Sequence, residues 1–275
     1  MNILFHTIAI EPARWTPQRV SRPLVELLPR IAEAGFSEIE IFEPHLGTDD
    51  SSVEIKNAFA ETGLKPVILS SYLSLNPAET SDAELDAKLQ QMAERIRYYG
   101  FQKVRLFPGP RMNPADKQGV EIFKARLNRL LEHLPNVEVL LETHDGSLAD
   151  DPNVITQIVK ELAHANVGLL FQPTFIQEKE NILEQFRIEE PFIRHLHFQN
   201  RLPDGSFVGL KEGIIPWPEI LQGLGSRVDG TLEFVAIGVC GVDEFDLDAT
   251  LAQARAEADY IQSVAQSTPA TTAAQ

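Results

Sequence analysis

VEVLLETHDGSLADDPNVITQIVKELAHANVGLLF (residues 137–171) decides the fold. It opens on a short apolar run, Val137–Glu142, of the kind that forms a buried strand. Asp151-Pro152 follows as a helix opener, the aspartate as cap and the proline in the first turn. A second apolar run, Val167–Phe171, starts 30 residues after the first. That is the span of one strand–helix–strand unit, whose two strands are parallel.

Working outward, the pattern repeats. Ile3–Ile10, Glu38–Phe42, Lys65–Ser70, Lys103–Phe107, Ile193–Phe198 and Gly230–Val235 complete eight expected strands, whose starts lie 26 to 38 residues apart. Between them run amphipathic stretches with their own punctuation. Thr16-Pro17 opens the first helix and Gly35 ends it; Ser81-Asp82-Ala83-Glu84 is a capping box for a helix that stops at Gly100. Pro216 starts another, and the last runs from about Val242 to Val264 along the outside. Eight such units favour a closed (β/α)8 TIM barrel over an open doubly wound sheet. The open sheet also lacks a glycine-rich phosphate loop after strand one, where Ala9-Ile10-Glu11-Pro12 stands instead. The expected organisation is one barrel domain over residues 1–264 and a small, polar, disordered tail over 265–275.

The 275 residues fit one such barrel, and 43% of them are hydrophobic. Net charge is −16, from 24 basic and 40 acidic residues, which speaks against nucleic-acid or anionic-membrane partners. Cys240 is the single cysteine, so no internal disulfide forms and a cytoplasmic location is expected. The N-terminus lacks the basic stretch of a signal peptide, and no apolar run reaches the roughly 20 residues of a membrane span.

In a parallel barrel, functional side chains come from the C-terminal ends of the strands. That rule picks His6, Glu43 and His45, then Glu142, Thr143, His144 and Asp145, then Gln172, then His195, His197, Gln199, Asn200 and Arg201, and finally Glu233. Polar groups gathered on apolar strands need partners, and a divalent cation would satisfy several together. Glu142 has the ordinary alternative of a rim carboxylate meeting water or a lysine. Glu233, inside Gly-Thr-Leu-Glu-Phe-Val-Ala, calls for a charged partner. His195 and His197 are two apart and point the same way, so one can ligate while the other packs. Glu43 and His45 flank Pro44 and either line the mouth or belong to a plain loop. His6 and Cys240 read as packing residues.

The chain resembles the xylose-isomerase-like barrel superfamily of sugar isomerases and epimerases, inosose and dehydroshikimate dehydratases, and endonuclease IV repair enzymes. The carriers are Gly35–Ile41, Leu141-Glu142-Thr143-His144, His195-Leu196-His197, Gly209–Trp217 and Gly230-Thr231-Leu232-Glu233, in this order along nearly the whole chain. The resemblance implies one divalent metal ion held by Glu142, Gln172, His197 and Glu233. Mixed oxygen and imidazole ligands suit Mn2+ first, then Zn2+, Co2+ or Mg2+. Gln172 stands where the family has an aspartate, which removes one negative charge and weakens the site. Phe175 replaces a substrate-contacting histidine of the epimerases. Arg201 matches their substrate-contacting arginine, and His144 matches a mouth histidine of the dehydratases.

The resemblance therefore implies an enzyme, a metal-dependent isomerase or epimerase of a small sugar-like molecule. Glu142 and Glu233 would serve as ligands and acid–base groups, His144 as a further base, and Arg201, His45 and Glu43 as substrate contacts. The alternatives are a dehydratase of a cyclic polyol or keto acid using His144 as base, and a barrel that only binds sugars. With no phosphate loop, a free sugar, polyol or keto acid is favoured over a sugar phosphate. The family makes a homodimer or homotetramer plausible. An endonuclease is disfavoured by the acidic charge.

Overall fold

The computed structural model describes all residues except 17–19, 48–51, 78, 110–116, 175–177 and 268–275. Eight parallel strands close into a barrel: β1 (Ile3–His6), β2 (Glu38–Phe42), β3 (Lys65–Ser70), β4 (Lys103–Leu106), β5 (Glu138–Glu142), β6 (Val167–Phe171), β7 (Ile193–Phe198) and, after a short ribbon of β8 (Asn200–Arg201) and β9 (Phe207–Val208), β10 (Asp229–Leu232). Neighbours pair in chain order, and β1 closes the ring by pairing both β2 and β10. The expected (β/α)8 barrel is the fold.

Among the described residues eight α-helices cover the outside: α1 (Leu24–Glu33), α2 (Ser52–Thr62), α3 (Asp82–Tyr99), α4 (Lys117–His133), α5 (Pro152–Leu162), α6 (Lys179–Glu189), α7 (Trp217–Leu224) and α8 (Leu247–Ser267). Their boundaries follow the local chemistry. Asp151 accepts from the Asn153 and Val154 amides at the start of α5. Ser81 and Glu84 form the reciprocal cap of α3, and Gly100 ends it at φ 82°, a left-handed conformation that favours glycine. Among the described residues no helix is long and apolar enough to cross a membrane.

Strand parity sorts the core into two compartments. Phe5, Ile39, Ile41, Leu69, Val104, Val139, Leu141, Leu169, Leu196 and Leu232 face the helices in one large apolar cluster. Leu4, Ile68, Leu140 and Leu170 point inward and plug the barrel's interior. Two residues further along each of those strands, alternation brings His6, Ser70, Glu142 and Gln172 into the same interior, one layer nearer the mouth. The fold thus lays a polar floor on an apolar plug.

Several expected boundaries are corrected. Strand one stops at His6, because the His6 ring accepts the Ile8 amide and turns the chain into a 3-10 turn over Thr7–Ile10. The first helix begins at Leu24 after Pro23; Thr16 lies in a bend and Pro17 outside the described residues. The last helix starts at Leu247, after a separate 3-10 turn at Val242–Glu244. It continues to Ser267, three residues into the stretch expected to be disordered. Glu233 falls just past β10, where its amide still donates to Phe198 O at 3.1 Å.

The β8–β9 ribbon was not expected. It lets Asn200 organise the return loop: its amide donates to Leu210 O (2.8 Å) and Ile215 O (3.2 Å), and its oxygen accepts from the Ile215 amide (2.9 Å). Gly213 is required beside it, since a Cβ there would lie 2.1 Å from Asn200 Oδ1.

Candidate active site

The polar layer centres on His197, contributed by β7 and buried. Its Nε2 lies 3.2 and 3.1 Å from the two oxygens of Glu40 on β2, across the barrel. Its Nδ1 faces the mouth, 3.5 Å from Glu233 Oε1 and 3.9 Å from Glu142 Oε1, with no closer hydrogen-bond partner among the described residues. Burial disfavours charge on this ring, but Glu40 and Glu233 outweigh it and push its pKa well up. A cation at Nδ1 would compete with a proton there.

Glu40 is held in turn. The Ser70 hydroxyl donates to Glu40 Oε1, and His6 Nε2 sits 3.0 Å from that hydroxyl and 3.3 Å from the carboxylate. His6 Nδ1 accepts from the Ile8 amide at 3.1 Å, so the neutral ring carries its proton on Nε2. Burial drives His6 down to about 3, which keeps it neutral.

Glu142 ends β5 opposite Arg105 of β4, whose Nε is 2.9 Å from Glu142 Oε2 with both side chains buried. The guanidinium also donates to Ser71 O (3.4 Å) and stacks on Phe107, 4.2 Å from the ring centre. Complete burial pushes Glu142 up although Arg105 and His197 pull it down. Glu233 goes the other way: His197 holds it down despite burial. Gln199 Nε2 donates to Glu233 Oε2 at 3.0 Å, and Arg201 Nε donates to Gln199 Oε1 at 2.9 Å. With its amide nitrogen turned inward, Gln172 donates to Glu233 Oε2 (2.6 Å) and Glu142 Oε1 (3.3 Å).

Glu142, His197 and Glu233 offer one donor atom each within 4.8 Å of one another. The unpartnered Nδ1 between two carboxylates fits a divalent cation. Gln172 touches the same two carboxylates, close enough to add its carbonyl oxygen once the amide turns. A second trio, His6, Glu40 and His197, meets the same distance test. Its imidazole protons and the Ser70 hydroxyl already point at Glu40, so it is a hydrogen-bonded support.

The remaining expected residues lie around this centre. His144, half-buried at the rim, stacks edge-on against Phe107 with ring centres 5.0 Å apart. Its Nδ1 is 2.8 Å from Asp145 O. A carbonyl only accepts, so Nδ1 bears a proton, and in the neutral ring the lone pair is on Nε2. Arg201 stacks on Phe207 at 4.2 Å beside Phe234. Glu43 is tied to the segment after β3 and to α3, accepting from Ser71 Oγ (2.9 Å), the Tyr72 amide (2.9 Å) and Arg95 (3.3 Å). It lines a cavity of about 640 Å3 at the rim with Arg14, Phe42, Tyr72 and Arg95. His45 is buried with both nitrogens engaged, by Thr7 Oγ1 (3.0 Å) and Glu11 Oε2 (3.1 Å), which leaves neither nitrogen for an incoming molecule. His195 points into the floor against Thr231 Oγ1 at 2.7 Å. Phe175 lies outside the described residues. Glu40, Arg105 and Glu11 were not singled out from the sequence.

The family model for xylose isomerase-like TIM barrels matches residues 28–264. The chain belongs to that family. A 3-dehydroshikimate dehydratase of Bacillus anthracis is 25% identical over 218 residues, covering 69% of this chain and 77% of the relative. Among solved structures, a xylose isomerase-like TIM barrel protein from Mycobacterium smegmatis in complex with magnesium superposes with a TM-score of 0.69 at 17% identity, over 97% of each chain. D-psicose 3-epimerase from Clostridium cellulolyticum H10, with D-tagatose, gives 0.70 at 15% identity over 96% of this chain and 99% of the other. Family members are isomerases, epimerases and dehydratases, and family neighbours bind magnesium or zinc.

Proposed function

We propose that this protein is a divalent-metal-dependent lyase that removes water from a small cyclic hydroxy-ketone bearing a carboxylate. The observation that carries the reading is the state of the possible bases. Glu142 is engaged by Arg105 and Glu233 by Gln199, whereas His144 presents at the rim an Nε2 with no partner among the described residues, its tautomer set by Asp145 O.

Glu142, Gln172, His197 and Glu233 would hold the cation, which supplies Lewis acidity toward a substrate carbonyl. His144 Nε2 takes the proton from the carbon beside that carbonyl. The electron pair of the broken C–H bond forms the new C=C bond, and the hydroxyl on the next carbon departs. His144 returns the proton to it, so the sum is loss of water. Arg201, part-buried beside Gln199, favours an anionic substrate. The 25% identity to a 3-dehydroshikimate dehydratase supports the same class.

The second reading is isomerisation or epimerisation of a sugar. It is favoured by Glu142 and Glu233, two carboxylates flanking one point at His197 Nδ1, an arrangement suited to removing a proton on one face and returning it on the other. The test is to incubate the Mn2+-loaded protein with 3-dehydroshikimate and, separately, with ketohexoses. Ultraviolet absorbance from a conjugated product, lost in His144→Ala, supports the lyase. Epimerised ketose with no dehydration would overturn it in favour of the second reading.

A further inference from the structure

The geometry points to Glu40 as a positioning residue that sets which nitrogen of His197 meets the metal. The inference rests on the metal reading above and extends it to a residue on the opposite side of the barrel.

Every group directed at Glu40 is a donor. His197 brings Nε2–H at 3.1 and 3.2 Å, and Ser70 brings its hydroxyl. His6 brings Nε2–H, because its Nδ1 is occupied in accepting the Ile8 amide. Only an acceptor-only group satisfies three donors, and among side chains that is an ionised carboxylate. Glu40 sits on the Nε2 side of the His197 ring, away from Glu142 and Glu233, which face Nδ1. Its remaining effect is through His197. By accepting Nε2–H it fixes the proton there and leaves the Nδ1 lone pair aimed between Glu142 and Glu233. His6 and Ser70 keep the carboxylate from turning toward the mouth, where it would compete as a ligand.

Glutamine at this position inverts the logic. Its NH2 would face donors, and the strain is relieved when His197 moves its proton to Nδ1 and accepts the amide at Nε2. The lone pair then points away from the ligand set.

The test uses the full chain, with Zn2+ as probe, competed against a chromophoric chelator. Glu40→Gln is expected to weaken Zn2+ binding about 10–100-fold relative to wild type. Glu40→Asp, which keeps the acceptor-only charge, is expected to recover part of the loss. Circular dichroism checks that the variants fold. Long-range 15N–1H correlation on the Zn2+-loaded wild type gives a readout that needs no variant: the His197 proton is expected on Nε2 with Nδ1 ligated. Unchanged affinity in a folded Glu40→Gln, or Nε2 ligation in the wild type, overturns the assignment alone. A wild type that takes up no Zn2+ overturns the metal reading and the assignment with it.

Discussion

Arg105 Nε lies 2.9 Å from Glu142 Oε2 with both side chains fully buried, one strand apart in the barrel wall. Removing one member of such a pair exposes the other to its full desolvation cost. Arg105→Met is expected to destabilise the metal-free protein by about 3–5 kcal/mol. With Mn2+ bound the loss should shrink, because the cation then compensates Glu142. Urea unfolding with and without Mn2+ checks this; an equal loss in both conditions would separate Glu142 from the metal.

His144 is the base of the proposed reaction and not a ligand. His144→Ala should lower kcat by about 10^2–10^4-fold while leaving metal content unchanged. Turnover and metal stoichiometry on the same preparation decide it. Full activity, or loss of the metal, would remove His144 from the assigned role.

Gln172 supplies at most a neutral oxygen where a carboxylate would suit the cation better. Gln172→Asp is expected to tighten Mn2+ binding by about tenfold or more. Isothermal titration of the two proteins measures the ratio. Weaker binding would mean that the Gln172 amide serves by donating to Glu142 and Glu233.

Glu257 on α8 gives a pH signature away from the site. Burial, with Glu212 nearby, raises it to about 7, although Gln253 and the Leu210 amide pull it down by donating to it. Below the ordinary value of 4.5 the folded and unfolded chains are both protonated there, and the folded state's advantage is fully present. As pH rises from 4.5 to 7 the unfolded chain gives up the proton first, so stability falls. The total is on the order of 3 kcal/mol. Glu257→Gln should lack this slope and exceed wild type in unfolding midpoint at pH 8 while matching it near pH 4. A parallel pH profile for the two proteins would refute the shift.

The barrel was legible because its strands are short apolar runs with helix caps between them, as Asp151-Pro152 and Ser81–Glu84 show. Glu142, His197 and Glu233 were legible because they stand at or near the C-terminal ends of such runs. Glu40 and Arg105 were not. In Glu38-Ile-Glu-Ile-Phe42 and Lys103-Val-Arg-Leu106 the charged residues alternate with apolar ones, which is also how a half-exposed strand reads. Their burial depends on the barrel closing, which brings Glu40 to His197 from 157 residues away. A parity argument would have found them: the pairing of His6 with Glu40 in register, and the inward phase of Glu142 carried to β4 through the Leu106–Leu141 register, place both inside. The apolar run Ile3–Ile10 overstates strand one, because His6, an apparent strand residue, caps a turn with its own ring.

Glu142, His197 and Glu233 are proposed to hold one divalent metal ion. Elemental mass spectrometry on protein purified without chelator, then dialysed against Mn2+ or Zn2+, tests it most directly, beside a Glu142→Ala/Glu233→Ala double variant. About one divalent ion per wild-type chain and none in the variant is the predicted result. Equal metal in both, or none in the wild type after either dialysis, would contradict it and leave a barrel that only binds its ligand.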